Sequence, residues 1–429
     1  MSNDVAEGRL GILYLSQYFF PESFLGNDVA RALVARSHDL VAVSSVPNYP
    51  EGKFFSGFSN KLRRIEHWHG IKIIRAWTVR RGNSRVRLLI NYLVYPFAAS
   101  WEILRLGGRG IDVSFVFMPS PIFQGLAGIF AKHVFGIPTV FWVQDIWPDS
   151  AVVTLNIKSR IINSILNAFC SYIYRSADLL MVQSNAFIPR LEQLGVERSK
   201  ITVVPNMAPT GFDRVTREDV DPAVRMLVPT DKFVVMFAGN IGASQDFDTI
   251  LEAASILKSN ENIIWVILGS GRDEDRVRKV IENLDLGRHV LLLGRHPIEL
   301  MPHFFSCADV LLLSLKANEL FDMTVPSKLQ SYLACGQPLV GSLGGEGARI
   351  ILESGAGISV PPSDPSRLAA AVVSLSHLSK EELSQMGRNG YRYAKNNYDS
   401  DLIFDSIENL LFKVVENCRA HEAQGSLDD

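Results

Sequence analysis

Lys328 sits in the densest cluster of chemically capable residues in this chain. The segment Val325-Pro326-Ser327-Lys328-Leu329-Gln330-Ser331-Tyr332-Leu333-Ala334-Cys335-Gly336-Gln337-Pro338 reads as a helix with its own stop signals. Pro326 suits the first helical turn, where a missing N–H costs nothing. Gly336 ends the helix and Pro338 opens the next strand. The helix start then presents Ser327 and Lys328 to anionic oxygens. Two glycine turns belong to the same chemistry. Phe237-Ala238-Gly239-Asn240-Ile241-Gly242 and Leu268-Gly269-Ser270-Gly271-Arg272 each close an apolar run. Glycines at such junctions let backbone amides face a phosphate, and Arg272 adds a cation. Neither turn is a Walker A loop or a complete dinucleotide fingerprint, which argues against ATPase and dehydrogenase chemistry. A further turn, Gly344-Gly345-Glu346-Gly347, offers the carboxylate of Glu346.

A second constellation is Trp142-Val143-Gln144-Asp145-Ile146-Trp147-Pro148-Asp149-Ser150. Asp145 and Asp149 stand just past a strand, beside Trp147. Carboxylates so placed orient sugar hydroxyls or assist proton movement. Asp149 serves equally well as a helix cap. Gly26 precedes a helical pattern (Val29, Leu33, Val34) and either admits a ligand to the helix amides or simply turns the loop. Val46-Pro47-Asn48-Tyr49-Pro50 is a stiff loop at another strand end, offering Asn48 and Tyr49.

Short apolar runs alternating with amphipathic stretches must carry these groups. The first series is residues 10–15, 40–44, 113–118, 139–143, 179–183 and 201–204. The second is 233–238, 263–268, 290–293, 310–313, 338–341 and 357–360. Continuous apolar runs are strands buried on both faces, and their alternation with helices implies parallel α/β sheets. Polar, proline-bearing residues 208–232 read as a linker. The expectation is two doubly wound α/β domains, with the active site in the cleft they face, since ligands of such sheets bind at the carboxyl ends of the strands.

Composition narrows the classes. With 43 Lys+Arg against 45 Asp+Glu, the formal net charge is −2, which excludes a global basic field for nucleic acid. The four cysteines, at 170, 307, 335 and 418, are too scattered for a metal framework and read as reduced thiols. No metal site is expected. Polar residues 1–7 and the short run 10–15 do not make a secretory signal, so a cytoplasmic chain is expected. No run reaches about 20 apolar residues. The closest, 88–106, is interrupted by Asn91, Pro96, Glu102 and Arg105. Basic residues Arg80, Arg81, Arg85 and Arg87 precede it, a pairing that suits either an anionic leaflet or a core helix with a solvated start.

Taken in order, PNYPEGK (47–53), QDIWPDS (144–150), VVPNM (203–207), FAGNIG with Gln245 (237–245), LGSG (268–271), PSKLQSYLACGQP (326–338) and GAGISVPP (355–362) make the chain resemble glycosyltransferase family 4, of the GT-B fold. The likeness is to the bacterial branch that builds O-antigen, capsule or exopolysaccharide units, which includes probable N-acetyl-L-fucosamine transferases. It implies an N-terminal acceptor-binding Rossmann-like domain over 1–208, with a crossover helix at about 399–417. It also implies a C-terminal nucleotide-sugar-binding Rossmann-like domain over 209–398, and leaves a polar tail at 418–429.

The chemistry the resemblance implies is retaining, metal-independent transfer without a cofactor. The sugar, an N-acetylated amino sugar, passes from a UDP-sugar to a polyprenyl-diphosphate-linked saccharide at the inner face of the cell membrane. Lys328 and Asp145 would be catalytic. The donor would meet Gly26, Gly239, Asn240, Gly242, Gln245, Gly269, Gly271, Arg272, Arg295, Pro326, Ser327, Ser331 and Glu346. The acceptor would meet Asn48, Tyr49, Trp147 and Asp149. The chain departs from the family pattern at Asn240 and Gln245, where many members carry Arg and Lys. It departs again at Met323 and Ser331, where many carry glutamates. A GT-B epimerase or phosphorylase, a soluble small-molecule transferase and a non-catalytic sugar-nucleotide-binding protein remain alternatives at this point.

Overall fold

In the computed structural model, residues 8–61, 64–82, 84–155 and 157–425 are described. They fall into two compact units. The first runs to Val204 and resumes at Phe404; the second is Pro205–Ile403.

The first unit holds eight strands: β1 (Gly11–Leu15), β2 (Asp39–Ser45), β3 (Arg64–Trp68), β4 (Ile71–Ala76), β5 (Val113–Met118), β6 (Thr139–Val143), β7 (Leu179–Val182) and β8 (Ile201–Val203). Their order is β3-β4-β2-β1-β5-β6-β7-β8. Every pairing is parallel except β3 with β4. Strands β1, β5, β6 and β7 are buried along their whole length, as expected where helices cover both faces. The chain winds outward in both directions from β1 and β5, so the loops after these two strands flank the topological switch point.

Strands β3 and β4 interrupt the sequence expectation. Lys72 and Arg75 break the apolar run of β4, and β3 is an edge strand with alternating exposure. Arg75 is buried because Glu66, across the ladder, pairs with it at 2.9 Å.

The second unit holds β9 (Phe233–Ala238), β10 (Ile263–Leu268), β11 (Val290–Gly294), β12 (Val310–Ser314), β13 (Leu339–Ser342) and β14 (Gly357–Val360). The sheet is parallel, in the order β11-β10-β9-β12-β13-β14. Val234, Met236 and Ala238 face one core layer, and Val235 and Phe237 the other. The switch point is at β9 and β12, which puts Gly239 at the centre of the carboxyl edge.

Residues 208–232 are not a free linker. Phe212, Val220, Val224 and Val228 are buried in the second unit's core. The apolar positions are spaced too widely among charges to announce a packed segment. Helix Ser400–Gly425 passes into the first unit at Phe404 and buries Ile407 and Leu411. There Asp405 meets Arg36 at 2.7 Å and Glu408 meets His38 at 2.7 Å. The helix continues through 418–425, where a polar tail was expected; residues 426–429 lie outside the described residues. Among the described residues no helix is long and apolar enough to cross a membrane.

Candidate active site

At the carboxyl edge of the second sheet the loops after β9, β10 and β11 continue the ladder beyond the strands. Gly239 N–H donates to Leu268 O at 2.9 Å, Ile241 N–H to Ser270 O at 3.0 Å, and Gly269 N–H to Gly294 O at 2.7 Å. This close approach is why the glycines are there. Gly269 has φ +121°, and a Cβ on it would lie 1.9 Å from Gly239 O; one on Gly271 would lie 2.0 Å from Ile241 O. The expectation of phosphate-facing amides is therefore corrected at Gly239 and Gly269, whose N–H groups are already donated within the protein. Gly269→Ala is expected to cost about 3 kcal/mol or more, read as a lowered urea midpoint, because backbone must move to admit the methyl.

Lys328 crosses directly above Gly239. A Cβ on that glycine would sit 2.6 Å from Nζ. The ammonium donates to Gln245 Oε1 at 2.6 Å and lies 3.8 Å from the centre of the Phe237 ring. It pairs with no carboxylate among the described residues. Burial pulls its pKa down to about 7. It projects from the start of helix Ser327–Ala334, for which Pro326 is the N-cap. A partly buried cation at a helix N-terminus, lacking a counter-ion, is built to receive an anion.

Beside it, Gly239, Asn240, Leu268, Gly269, Ser270, Arg295, His296, Ile298 and Met301 line a cleft of about 310 Å³. A larger cavity, about 420 Å³, opens beside Asp309 and Pro338. It lies at the amino ends of β12 and β13, the wrong edge for a ligand of a parallel sheet. Arg272 and Arg295 are exposed at the carboxyl edge. Gly242 packs against Asn240, where a Cβ would be 2.5 Å from Nδ2. Two expected donor contacts are otherwise engaged. Glu346 is held bidentately by Arg349, at 3.1 and 3.0 Å, and Ser331 is buried within its helix.

In the first unit, Asp145 follows β6. Burial raises its pKa to about 6, and it has no hydrogen bond or ion pair to another described residue. Its charge is felt at Tyr92 and Tyr174. Tyr92 belongs to a cluster the sequence did not disclose. Tyr18 stacks on Phe24 at 5.3 Å and meets Tyr49 at 5.3 Å, while the Arg81 guanidinium lies over the rings of Tyr49 and Tyr92. Half-buried Tyr49 thus remains available to a ligand.

The other acceptor expectations are corrected. Asn48 is fully buried and ties loops together, accepting from Arg81 N–H at 3.1 Å. Trp147 is buried on Phe123, with Nε1 donating to Ser120 at 3.2 Å. Asp149 accepts from Arg190 at 2.7 Å. Gly26 is required by internal packing, since a Cβ there would lie 2.1 Å from the Tyr14 hydroxyl and 2.6 Å from the Phe117 ring.

Glu22 was not foreseen. One carboxylate oxygen accepts the N–H groups of Asn48 and Tyr49, both at 2.7 Å, and the other that of Phe19 at 3.3 Å. Burial still raises its pKa to about 7. It pins the Tyr49 loop to the loop after β1. Glu22→Ala is expected to cost roughly 2 kcal/mol through the orphaned amides, and to speed hydrogen exchange at Asn48 and Tyr49.

Known proteins resemble both units. The family described as Glycosyl transferase 4-like domain matches residues 27–207, and that described as Glycosyl transferases group 1 matches residues 224–393. The probable glycosyltransferase WbjE of Pseudomonas aeruginosa is 29% identical over 261 residues, covering 60% of this chain and 63% of that protein. The N-acetylgalactosamine-N,N'-diacetylbacillosaminyl-diphospho-undecaprenol 4-alpha-N-acetylgalactosaminyltransferase of Campylobacter jejuni is 25% identical over 227 residues, covering 52% and 58%. Each alignment spans less than two thirds of the relative's length. Among solved structures, Anabaena HepE in complex with UDP superposes with a TM-score of 0.71 at 15% identity, covering 94% of this chain and 100% of that one.

Proposed function

The chain belongs to glycosyltransferase family 4, with the two Rossmann-like domains of the GT-B fold, and on that premise we propose that it is a retaining transferase that moves a sugar from a UDP-sugar to a polyprenyl-diphosphate-linked saccharide. The sugar is proposed to be an N-acetylated amino sugar and the pathway bacterial surface polysaccharide assembly. The observation that carries this reading is Lys328, a partly buried amine with no carboxylate partner among the described residues, at the carboxyl edge of a parallel sheet.

As the bond to the donor sugar breaks, negative charge grows on the leaving diphosphate. Lys328 and the amino end of helix Ser327–Ala334 stabilise that charge without reorganising. Gln245 holds Nζ at the Gly239 turn. Asn240 and Gln245 offer neutral hydrogen bonds where many members of the family carry cations, which leaves Lys328 as the principal charge on the diphosphate. Arg272 and Arg295 frame the nucleotide. In this scheme the leaving phosphate accepts the acceptor hydroxyl proton, and no metal takes part. Asp145, ionised above about pH 6, orients the acceptor sugar through its hydroxyls. The half-buried rings of Phe24 and Tyr49, packed on Tyr18, offer the acceptor an apolar face.

The lipid-linked acceptor is supported by the activity for which the Campylobacter relative is named, and UDP by the complex of the Anabaena fold relative. Action at the inner face of the cell membrane follows from such an acceptor. A thermal-shift screen with UDP, GDP, dTDP and their sugars tests the donor side. Selective stabilisation by UDP ligands, weakened in Lys328→Ala, is the expected result; no shift with any nucleotide contradicts it.

A further inference from the structure

Two glycines in the first unit build a cationic cavity whose lining does not include Asp145. Gly52 and Gly82, with φ +72° and +57°, lie backbone to backbone; Gly82 N–H donates to Gly52 O at 3.3 Å. A Cβ on Gly52 would sit 2.8 Å from Gly82 N, so the two loops meet this closely only through glycine. Their contact brings Lys53, Arg80 and Arg87 to one open cavity of about 470 Å³, with Ser84 also in its lining. One carboxylate, Glu51, shares the lining. All three cations are exposed, and none is ion-paired among the described residues. Arg80 rests on the Phe54 ring, and the Arg87 stem folds over Gly82. Three like charges drawn together repel one another, a cost that a polyanion removes. Within residues 80–87, Asn83 lies outside the described residues, as does the Arg85 side chain.

The cavity opens at the start of helix Arg85–Leu106, 22 residues and about 33 Å long. One side of the helix, through Asn91, Tyr95, Ala99 and Ile103, is buried. Another side presents Leu89, Leu93, Phe97, Trp101 and Leu104, with Phe97 75% and Trp101 58% exposed. A second helix in the layer, Arg160–Ser176, exposes Ile161 and Ile165. An apolar stripe beginning at a basic cavity is charge-complementary to an amphiphile with an anionic head. Next to Arg80, Arg81 lies over Tyr49 and Tyr92, and Tyr92 senses Asp145.

We propose that Lys53, Arg80 and Arg87 seat the diphosphate of the lipid-linked acceptor, with the polyprenyl chain and its bilayer along the Leu89–Leu104 stripe and the sugar toward Asp145. This rests on the acceptor class proposed above and adds the residues that hold it.

Vesicle flotation tests the assignment. Phosphatidylcholine vesicles carrying undecaprenyl diphosphate are compared with vesicles of matched charge carrying phosphatidylglycerol. The wild-type protein is expected to favour the diphosphate lipid. The triple variant Lys53→Ala/Arg80→Ala/Arg87→Ala is expected to lose that preference by about a hundredfold. Phe97→Ser/Trp101→Ser is expected to lose both kinds of vesicle. Equal retention on the two vesicle types, or a triple variant that keeps the preference, overturns the proposal. The UDP-dependent thermal shift is run on the same preparations. It stays unchanged in the triple variant if the chain is folded, and its absence in the wild type condemns the donor reading instead.

Discussion

Replacing Lys328 by Met is expected to lower kcat/KM for transfer by about 10²–10³-fold while raising the unfolding temperature. The loss follows from removing a preorganised charge from the developing diphosphate. The gain follows from linkage. Burial holds the Lys328 pKa at about 7, below its ordinary 10.5. Between those values the unfolded chain binds a proton that the folded chain does not, so this lysine's contribution to stability improves as pH rises from 7 toward 10.5 and is least favourable below 7. Methionine, of similar shape, carries no such cost. The same depression predicts proton uptake with the donor. An incoming diphosphate restores the charged ammonium, so at pH 8 UDP binding takes up close to one proton. Affinity then declines with pH above about 7. Titration calorimetry in buffers of different ionisation enthalpy reads the uptake, which vanishes in the Met variant.

Asp145→Asn is expected to lower transfer by about 10²–10⁴-fold and to leave UDP affinity within about twofold of the wild type. The carboxylate belongs to the first unit and Lys328 to the second, so the two substitutions divide donor binding from sugar orientation. Burial raises the Asp145 pKa from 3.8 to about 6, so the wild-type rate falls on acidification through pH 6. The Asn variant, having no group to protonate there, loses that acid limb. Transfer rates from pH 5 to 8, with calorimetric UDP affinity at pH 7.5, check both statements.

These residues differ in how plainly the sequence shows them. Strand β9 and the Gly239 turn are legible because an unbroken apolar run ends in glycine. Lys328 is legible as a helix-start cation, but its lack of a counter-ion is not, since that depends on what the fold brings near Nζ. Strand β4 is hidden because Arg75 looks like a surface residue until Glu66 on β3 neutralises it. Three of the four acceptor expectations share one weakness. Residue type shows that Asn48, Trp147 and Asp149 are capable of contacts, but their partners, Arg81, Ser120 and Arg190, lie 27 to 41 positions away in the chain. Glu22 is the converse: its partners are backbone amides, which leave no trace in side-chain patterns. Gly26 and Gly269 are glycines for internal packing, a reason spacing does not distinguish from ligand approach.

Product analysis reads the proposed sugar transfer itself. The protein is incubated with UDP-N-acetylhexosamines and an undecaprenyl-diphosphate-linked saccharide, and the lipid fraction is read by mass spectrometry for the wild type, Lys328→Met and Asp145→Asn. The wild type is expected to give a lipid product heavier by one sugar residue, with released UDP, and either variant at least a hundredfold less of it. A folded, UDP-binding wild-type protein that leaves every lipid saccharide unchanged, or a Lys328→Met variant that transfers at the wild-type rate, contradicts the proposal.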